Sequence, residues 1–405
     1  MRFSRIALIL GASLAAASLG LWSVAAAGAS GDAVALPDNP LQGRRLFEAK
    51  HCNQCHGIAG SGPSIGPSLG EGRFGGTFLD LGAALWNHVP GMSVTFEVTG
   101  LEWPQLSEQD FTELITFLNA IDYLGRPGVP AAGRRVFEAK GCDACHEVGR
   151  GGAGPGGDLA DLRLHASPLF VAQEIWNHGP SMLQSMRELE MEPPIFAEGE
   201  LADLSALIRQ QAEPGPRAPR LLAPGNPNRG RELFRIKGCA SCHGGDARGG
   251  DGGPNLAASD LHRSAEAIAG VMWNHALAMN SVMRERGIGW PRFEQAELAD
   301  LVAFLYFLPF ADPPGDPARG REVFAEQSCG KCHPAGSASI QPPPDVGPDL
   351  GGFGAGTPAA LVAAMWSHAP MMKRVILRDG RPWPQVAGRD LRDLHAFLAT
   401  HARAP

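Results

Sequence analysis

Residues 43–56 read GRRLFEAKHCNQCH, and three later stretches repeat this phrase with few changes. The copies are GRRVFEAKGCDACH at 133–146, GRELFRIKGCASCH at 230–243 and GREVFAEQSCGKCH at 320–333. The first cysteines of successive copies lie 90, 97 and 90 residues apart. Self-similarity at a nearly fixed period is the signature of tandem structural units. The sequence therefore predicts four repeats of similar structure.

Each repeat carries a second signature, a tryptophan followed by Asn-His-x-x-x-Met, or by Ser-His-x-x-x-Met in the fourth repeat. It begins at Trp86, Trp176, Trp273 and Trp366. Its methionine stands 36 residues after the histidine of the Cys-x-x-Cys-His motif in the first three repeats, and 39 residues after it in the fourth. This shared register indicates that the two signatures belong to one site in each repeat.

The end of each repeat has apolar residues at helical spacing. In the first repeat Ser107 is the expected N-cap, with Asp110 three residues later as in a capping box. The apolar sets are Phe111/Leu114/Ile115/Leu118/Ile121, Leu201/Leu204/Ile208, Leu298/Leu301/Val302/Leu305 and Leu391/Leu394/Phe397/Leu398. No stretch shows the alternation of a strand. We therefore predict an all-α protein of helices and loops.

Composition limits the class of protein further. The formal net charge is −7, and no basic stripe is present that could neutralise phosphates, which argues against nucleic acid as a partner. The 52 glycines and 34 prolines indicate many turns and linkers. All eight cysteines belong to the four Cys-x-x-Cys-His motifs, so none remains for a structural disulfide.

Segments rich in glycine and proline, which interrupt helices, separate the repeats from one another. The expected boundaries are a signal segment at 1–29, domains at 41–125, 130–212, 229–311 and 316–403, and a Pro-rich linker at 213–228. The N-terminus has two basic residues, then an apolar run and small residues, as secretory signals do, with retention as a membrane anchor the alternative. Because Pro-rich linkers are semi-rigid, we expect a bent or extended string of domains, divided into two pairs at 213–228.

The Cys-x-x-Cys-His spacing indicates covalent haem. Cysteines three residues apart on one helical turn suit thioether bonds to one porphyrin, and the adjoining histidine reaches the iron from the same side. A thioredoxin-like dithiol and half of a zinc site are the alternatives. We expect four covalent haem c groups, attached to Cys52, Cys55, Cys142, Cys145, Cys239, Cys242, Cys329 and Cys332, with His56, His146, His243 and His333 on the iron.

The opposite iron ligand has two candidates in every repeat, because the second signature supplies both a histidine and a methionine. We expect Met92, Met182, Met279 and Met372 to bind, since Met92 should lie on a loop beyond the helix that ends near Asn87. The alternative ligands are His88, His178, His275 and His368. The tryptophan of this signature is expected to pack in the haem pocket.

These residues resemble the class I cytochrome c domain, and the likeness extends over 41–403, four times. The resemblance implies four tandem domains, each with three main helices and loops around one covalent haem. It also implies that a loop proline carbonyl accepts a hydrogen bond from the iron-bound histidine, as Gly66-Pro67, Gly253-Pro254 and Gly347-Pro348 would allow. The second repeat departs from this pattern, with Gly157 in the place of proline and Glu192-Pro193-Pro194 where the others have Trp-Pro.

Electron transfer is the activity that the resemblance implies. We expect an exported, periplasmic or otherwise extracytoplasmic carrier, with redox proteins as donor and acceptor and with membrane association through the N-terminal segment or a membrane complex. A peroxidase-like enzyme with one open iron, or a subunit of a membrane dehydrogenase or reductase, is the alternative. The apolar run Leu301–Phe310 is a buried closing helix or a docking surface. His51, His165, His262, His395 and His401 are expected to be ordinary surface histidines.

Overall fold

The structure is a computed structural model that describes residues 36–58, 62–63, 65–69, 76–149, 155–163, 165–211, 224–258, 264–335 and 347–401. The expected signal segment, His262 and most of the expected linker lie outside these residues. Within them all regular secondary structure is helical, and β pairing is limited to isolated bridges. The prediction of an all-α protein is confirmed for this part of the chain. None of the described helices is both long and apolar enough to span a membrane.

The same helix order recurs in every repeat: an opening helix, a helical turn that carries the cysteines, a middle helix and a closing helix. In the third repeat the cysteine-bearing turn is α8 (Ala240–His243). The opening helices are α1 (Gly43–Ala49), α4 (Pro130–Ala139), α7 (Pro227–Ile236) and α12 (Pro317–Glu326). The middle helices are α2 (Phe78–Thr99), α5 (Pro168–Glu188), the pair α9 (Ala265–Asn274) and α10 (Ala276–Glu285), and α13 (Pro358–Arg378). The closing helices are α3 (Glu108–Asn119), α6 (Glu200–Arg209), α11 (Glu297–Phe307) and α14 (Gly388–Ala399).

Two local predictions can be compared with these bounds. Ser107 and Asp110 form the expected capping box at the start of α3, which is therefore confirmed. Helix α7 begins at Pro227, inside the range 213–228 that the sequence assigns to the linker. The first residue of a helix makes no intrahelical hydrogen bond through its N–H, so a proline at that position loses nothing. Pro227 can therefore begin α7 although the segment before it is rich in proline.

The opening and closing helices of each repeat cross in direct backbone contact at a glycine. A Cβ placed on Gly43 would lie 2.0 Å from the carbonyl oxygen of Glu113, a distance that no side chain can occupy. The corresponding distances are 2.1 Å for Gly133 and 1.9 Å for both Gly230 and Gly320. The phenylalanine four residues later then packs on the closing helix, as Phe47 does on Phe117. The repeated Gly-x-x-x-Phe pattern is thus explained by this crossing.

The repeats associate in pairs that the chain order does not suggest. Helices α2 and α3 of the first repeat pack on α13 of the fourth, and α5 of the second repeat packs on α9 of the third. We call these contacts the 1/4 interface and the 2/3 interface. The described residues, 36–401 with their gaps, belong to one compact unit. The expected string, divided into a first pair and a second pair at 213–228, is therefore wrong.

Tryptophan side chains join the paired repeats. At the 1/4 interface Trp86 donates its indole hydrogen bond to the carbonyl of Pro384, over 2.9 Å, and Trp366 donates in the same way to Pro104. At the 2/3 interface Trp176 donates to Pro291 and Trp273 to Pro194, each over 2.8 Å. The relation is reciprocal, as in the self-complementary contact of a two-fold dimer.

Three middle helices contain a proline that does not end them. Pro90 has no N–H, so it leaves the carbonyl of Trp86, four residues earlier, without its helical hydrogen bond. That carbonyl accepts instead from the indole of Trp383 in the fourth repeat, over 3.2 Å. Pro180 and Pro370 are compensated in the same way, by Trp290 on the carbonyl of Trp176 and by Trp103 on the carbonyl of Trp366, both over 3.0 Å.

The apolar run Leu301–Phe310 joins the third repeat to the first. Tyr306 donates to the carbonyl of Asn119 over 2.6 Å, and its ring lies edge-on to Tyr123 at 5.0 Å between centroids. Phe310 contacts Phe78 at 5.8 Å. The run is a buried closing helix whose additional apolar surface is covered within the chain. The principal contacts therefore place the repeats in the order 4–1–3–2.

Candidate functional site

Each Cys-x-x-Cys-His motif lies on a single helical turn directly after the opening helix. The residue before the first cysteine has a positive φ, 63° at His51, 71° at Gly141, 85° at Gly238 and 61° at Ser328. This left-handed residue turns the chain out of the opening helix. The motif histidine then donates its backbone N–H to the carbonyl of the first cysteine, over 3.0 Å in the case of His56 and Cys52. Both cysteines and the histidine are thereby held within one turn.

The ring of the motif histidine is oriented by a loop carbonyl in three repeats. Nδ1 of His56 donates to Pro67 over 2.9 Å, and His243 and His333 donate to Pro254 and Pro348 over 3.1 Å. A histidine that donates through Nδ1 offers the lone pair of Nε2 to a metal, in a fixed tautomer and orientation. The glycine before each proline lies flat against the imidazole, and a Cβ on Gly66 would come within 2.5 Å of the ring of His56.

The second repeat keeps the glycine but lacks the proline carbonyl. Gly156 lies against His146, where a Cβ would come within 2.6 Å of Nδ1. That nitrogen is buried, and the backbone of Gly156 and Gly157 lies near it without forming a hydrogen bond of ordinary geometry. Burial lowers the pKa of His146, so the ring is neutral at neutral pH, as a metal ligand must be. The ring of His178, from the middle helix, lies 6.4 Å from that of His146 between centroids.

The cysteine thiols do not have the environment of a redox dithiol. Burial raises the pKa of the first thiol in each motif, at Cys52, Cys142, Cys239 and Cys329, to about 11. A thioredoxin-like cysteine has a lowered pKa, because its thiolate is the nucleophile. Among the described residues, no three His, Cys, Asp or Glu side chains group as a metal site would require. The dithiol and zinc alternatives therefore lack the features that they need.

The structure changes the expected position of the methionine. Met92 does not lie on a loop, because α2 continues through Pro90 to Thr99. This part of the prediction is wrong for the physical reason given above: Trp383 supplies the hydrogen bond that the proline removes. Met92 is therefore one helical turn beyond His88, on the same face of α2. The same spacing places Met182 beside His178 in α5 and Met372 beside His368 in α13.

The two candidate ligands differ in their surroundings. Met92, Met182, Met279 and Met372 are half-buried and pack against the apolar core. The histidines one turn earlier are exposed. In three of them Nδ1 donates to the carbonyl four residues earlier: His88 to Ala84 over 2.6 Å, His275 to Val271 over 2.8 Å, and His368 to Ala364 over 2.9 Å.

The tryptophans of the second signature have a role that was not predicted, because they join the repeats. The sequence held a signal for this role: three of them, Trp86, Trp176 and Trp366, precede a proline by four residues, as if another group served the freed carbonyl. His395 is not the surface residue that the sequence predicts. It is buried and its Nε2 donates to the carbonyl of Gly356 over 2.8 Å.

The residues of each site fit covalent haem c. Two cysteines lie within one helical turn, and the adjoining imidazole has its Nδ1 engaged in three repeats and a glycine against its face. The middle helix presents a histidine and a methionine as candidates for the second ligand. This donor set is the one that c-type haem uses: two thioether bonds, one axial histidine and one axial methionine or histidine.

Comparison with known proteins agrees with this interpretation in one part of the chain. The family model of cytochrome c matches residues 227–308, which correspond to the third repeat. No curated protein and no solved structure matches the chain. The third repeat is therefore similar to cytochrome c domains, which carry haem c covalently and transfer electrons.

Proposed function

We propose that the protein is an exported tetrahaem c-type cytochrome that carries electrons between a respiratory donor and an acceptor outside the cytoplasm. The observation that carries the proposal is the fixed imidazole of His56, His243 and His333, each tied through Nδ1 to a loop proline beside a Cys-x-x-Cys turn. The match of the third repeat to cytochrome c supports extending the same role to its three sequence copies. Bound haem c supplies reversible one-electron chemistry at its iron.

The chain's own residues would attach, orient and enclose the four groups. The four cysteine pairs attach them, and His56, His146, His243 and His333 bind from one side. We assign Met92, Met279 and Met372 to the other side in repeats 1, 3 and 4. Their thioethers pack against the apolar core, whereas the neighbouring histidines are exposed.

The packing of the repeats indicates a route for electrons. Because repeats in contact hold their sites closest together, transfer within the chain follows the order 4–1–3–2 and not the order of the sequence. Repeats 4 and 2 lie at the ends of this order. We therefore propose that the redox partners bind at these two repeats. Joining carriers in one chain replaces diffusional encounter by a high effective concentration.

The proposal is tested by producing the full chain in a host that attaches haem c in its periplasm. Intact mass should show four covalent haems, and removal of any one cysteine pair should reduce the count by one. Near-infrared magnetic circular dichroism of the oxidised protein should show only low-spin iron. A smaller haem count in the unaltered chain would contradict the tetrahaem proposal. Carbon monoxide binding by the freshly reduced protein would instead favour the peroxidase-like alternative.

A further inference from the structure

The site of the second repeat differs from the other three on both sides of the expected iron. On one side, Nδ1 of His146 lacks the proline carbonyl that orients the corresponding histidines. On the other side, His178 faces His146, and the two rings lie 6.4 Å apart between centroids and 54° from coplanar. The pair lies between the Cys142 turn and helix α5, where the sequence predicts one haem.

The distance between these rings is close to the one expected for two imidazoles bound to the same metal ion. Two imidazoles bound on opposite sides of one metal ion stand about 6 Å apart between centroids, because each metal–nitrogen bond is about 2 Å and each ring centre lies about 1 Å behind its nitrogen. A histidine that only lined the pocket, one helical turn from a bound methionine, would be displaced sideways by about 5 Å, the pitch of the helix. Its ring would then lie farther than 6.4 Å from His146.

We propose that His178, and not Met182, is the sixth ligand in the second repeat, so that this repeat holds a bis-histidine haem. The inference rests on the proposed function, since it requires a haem on Cys142 and Cys145. It corrects the ligand that the sequence predicts in this repeat and leaves Met92, Met279 and Met372 in their assigned roles. Met182 then serves as apolar lining beside the ligand, which its half-buried position in the core allows.

The inference also predicts which repeat has the lowest potential. A methionine ligand raises the potential of a haem relative to two histidines. The weaker backbone contact at Nδ1 of His146 makes that imidazole a weaker electron donor to the iron, which by itself would raise the potential of this haem. Ligand identity is the larger of the two effects, so the second repeat should have the lowest midpoint of the four.

The test compares two variants of the full holoprotein, His178→Ala and Met182→Leu, with the matched pair His88→Ala and Met92→Leu in the first repeat. Oxidised samples are examined by near-infrared magnetic circular dichroism and electron paramagnetic resonance. We expect one haem in four to become high-spin in His178→Ala and in Met92→Leu, and none in the other two variants. Added imidazole should restore the low-spin signal in His178→Ala, because it enters the space that the side chain has left.

The opposite result, a high-spin haem in Met182→Leu with His178→Ala unchanged, would overturn the inference. The unaltered protein gives a second test that needs no variant to fold: one bis-histidine signal among three of the histidine–methionine type is expected, and four of the latter type would overturn the proposal. Intact mass separates the failure of the proposed function. A chain without haem on Cys142 and Cys145 would refute that function in this repeat, and this inference with it.

Discussion

The 1/4 and 2/3 interfaces are built from the same parts but are completed differently. The 1/4 interface has two closely packed tryptophan pairs, Trp86–Trp383 at 4.3 Å and Trp103–Trp366 at 4.4 Å between centroids, with ring planes tilted by 31° and 30°. The 2/3 interface has one, Trp176–Trp290 at 4.5 Å, because Pro193 stands where its second pair would need a tryptophan. The paired repeats thus resemble two-fold dimers, and the 2/3 interface is the less symmetric of the two.

The difference shows that tryptophan and proline act as a unit across each interface. Each proline inside a described middle helix beyond its first turn, at Pro90, Pro180 and Pro370, is opposed by a tryptophan of the partner repeat that donates to the freed carbonyl. The third repeat has Leu277 where the other middle helices have this proline. Its partner, the second repeat, has Pro193 where the other repeats have the tryptophan that donates to the freed carbonyl. The pairing of repeats is therefore recorded in the sequence as a correspondence between residues far apart in the chain.

The largest expected difference between the interfaces comes from removing one tryptophan from each. Trp366→Ala should cost about 3–5 kcal/mol of unfolding free energy, as large core truncations do. Trp273→Ala should cost about 1 kcal/mol less, because Trp273 has no paired tryptophan to lose. Denaturant unfolding of the holoproteins, followed by far-ultraviolet circular dichroism, gives the comparison. Equal losses would mean that the tryptophan pairing contributes nothing to the 1/4 interface.

A smaller substitution separates the contribution of the Trp383 hydrogen bond from the contribution of its aromatic ring. Trp383→Phe keeps an aromatic side chain against Trp86 but leaves the carbonyl of Trp86 unpaired at Pro90, at a cost of about 1–3 kcal/mol. Pro90→Ala restores an N–H to the helix and should suppress most of that loss in the double variant. The unfolding midpoints of the two single variants and the double variant measure the coupling.

The corresponding double-mutant cycle at the 2/3 interface combines Trp290→Phe with Pro180→Ala. The same suppression is expected there, since Trp290 donates to the carbonyl of Trp176 in the same geometry. If the losses add without coupling at both interfaces, the tryptophan does not compensate the proline.

The 2/3 interface should also respond to pH through Glu266. Burial raises the pKa of this carboxyl, whose Oε1 accepts from the backbone N–H of Gly199 over 2.9 Å and whose Oε2 has no partner. The folded protein therefore holds a proton that the unfolded chain releases near pH 4.3, about the ordinary value for glutamate. Stability contributed by the protonated form is complete below that pH and is lost as the pH rises through the raised pKa.

Glu266→Gln removes this ionisation while it keeps an oxygen acceptor for Gly199. The variant should be more stable than the unaltered protein at neutral pH and should lose the decline above the ordinary glutamate range. Thermal midpoints measured across a pH series provide the check. Curves that stay parallel at every pH would show that Glu266 does not titrate in this way.

The smallest expected effect concerns the one signature that lacks asparagine. Asn87 donates to Val386 over 2.8 Å and accepts from its N–H over 3.1 Å, whereas Ser367 makes a single bond of 3.4 Å to the carbonyl of Leu106. Ser367→Asn should therefore stabilise the 1/4 interface by about 0.5–1 kcal/mol. The unfolding midpoint should rise in this variant and fall in the reverse change, Asn87→Ser.

The sequence predicted the local structure of this chain well, because each local feature depends on residues close together. The helical spacing of Phe111, Leu114 and Ile115 and the capping box at Ser107 required no distant partner. The Gly-x-x-x-Phe opening could be assigned by resemblance. The end of the middle helix at Asn87 was predicted wrongly, since the effect of a proline that normally stops a helix is compensated by Trp383, which lies 297 residues from the Trp86 carbonyl that it satisfies.

What the sequence determined by itself is the chemistry of each site: two cysteines and a histidine on one turn, four times, with a histidine and a methionine a fixed distance beyond. Short covalent spacing is sufficient for that. Only the tertiary structure decided which repeats pair, and which side chain of the middle helix faces His146. Both depend on surfaces that meet after folding, where the indoles of one repeat satisfy the backbone of another and a missing proline carbonyl changes the surroundings of one imidazole.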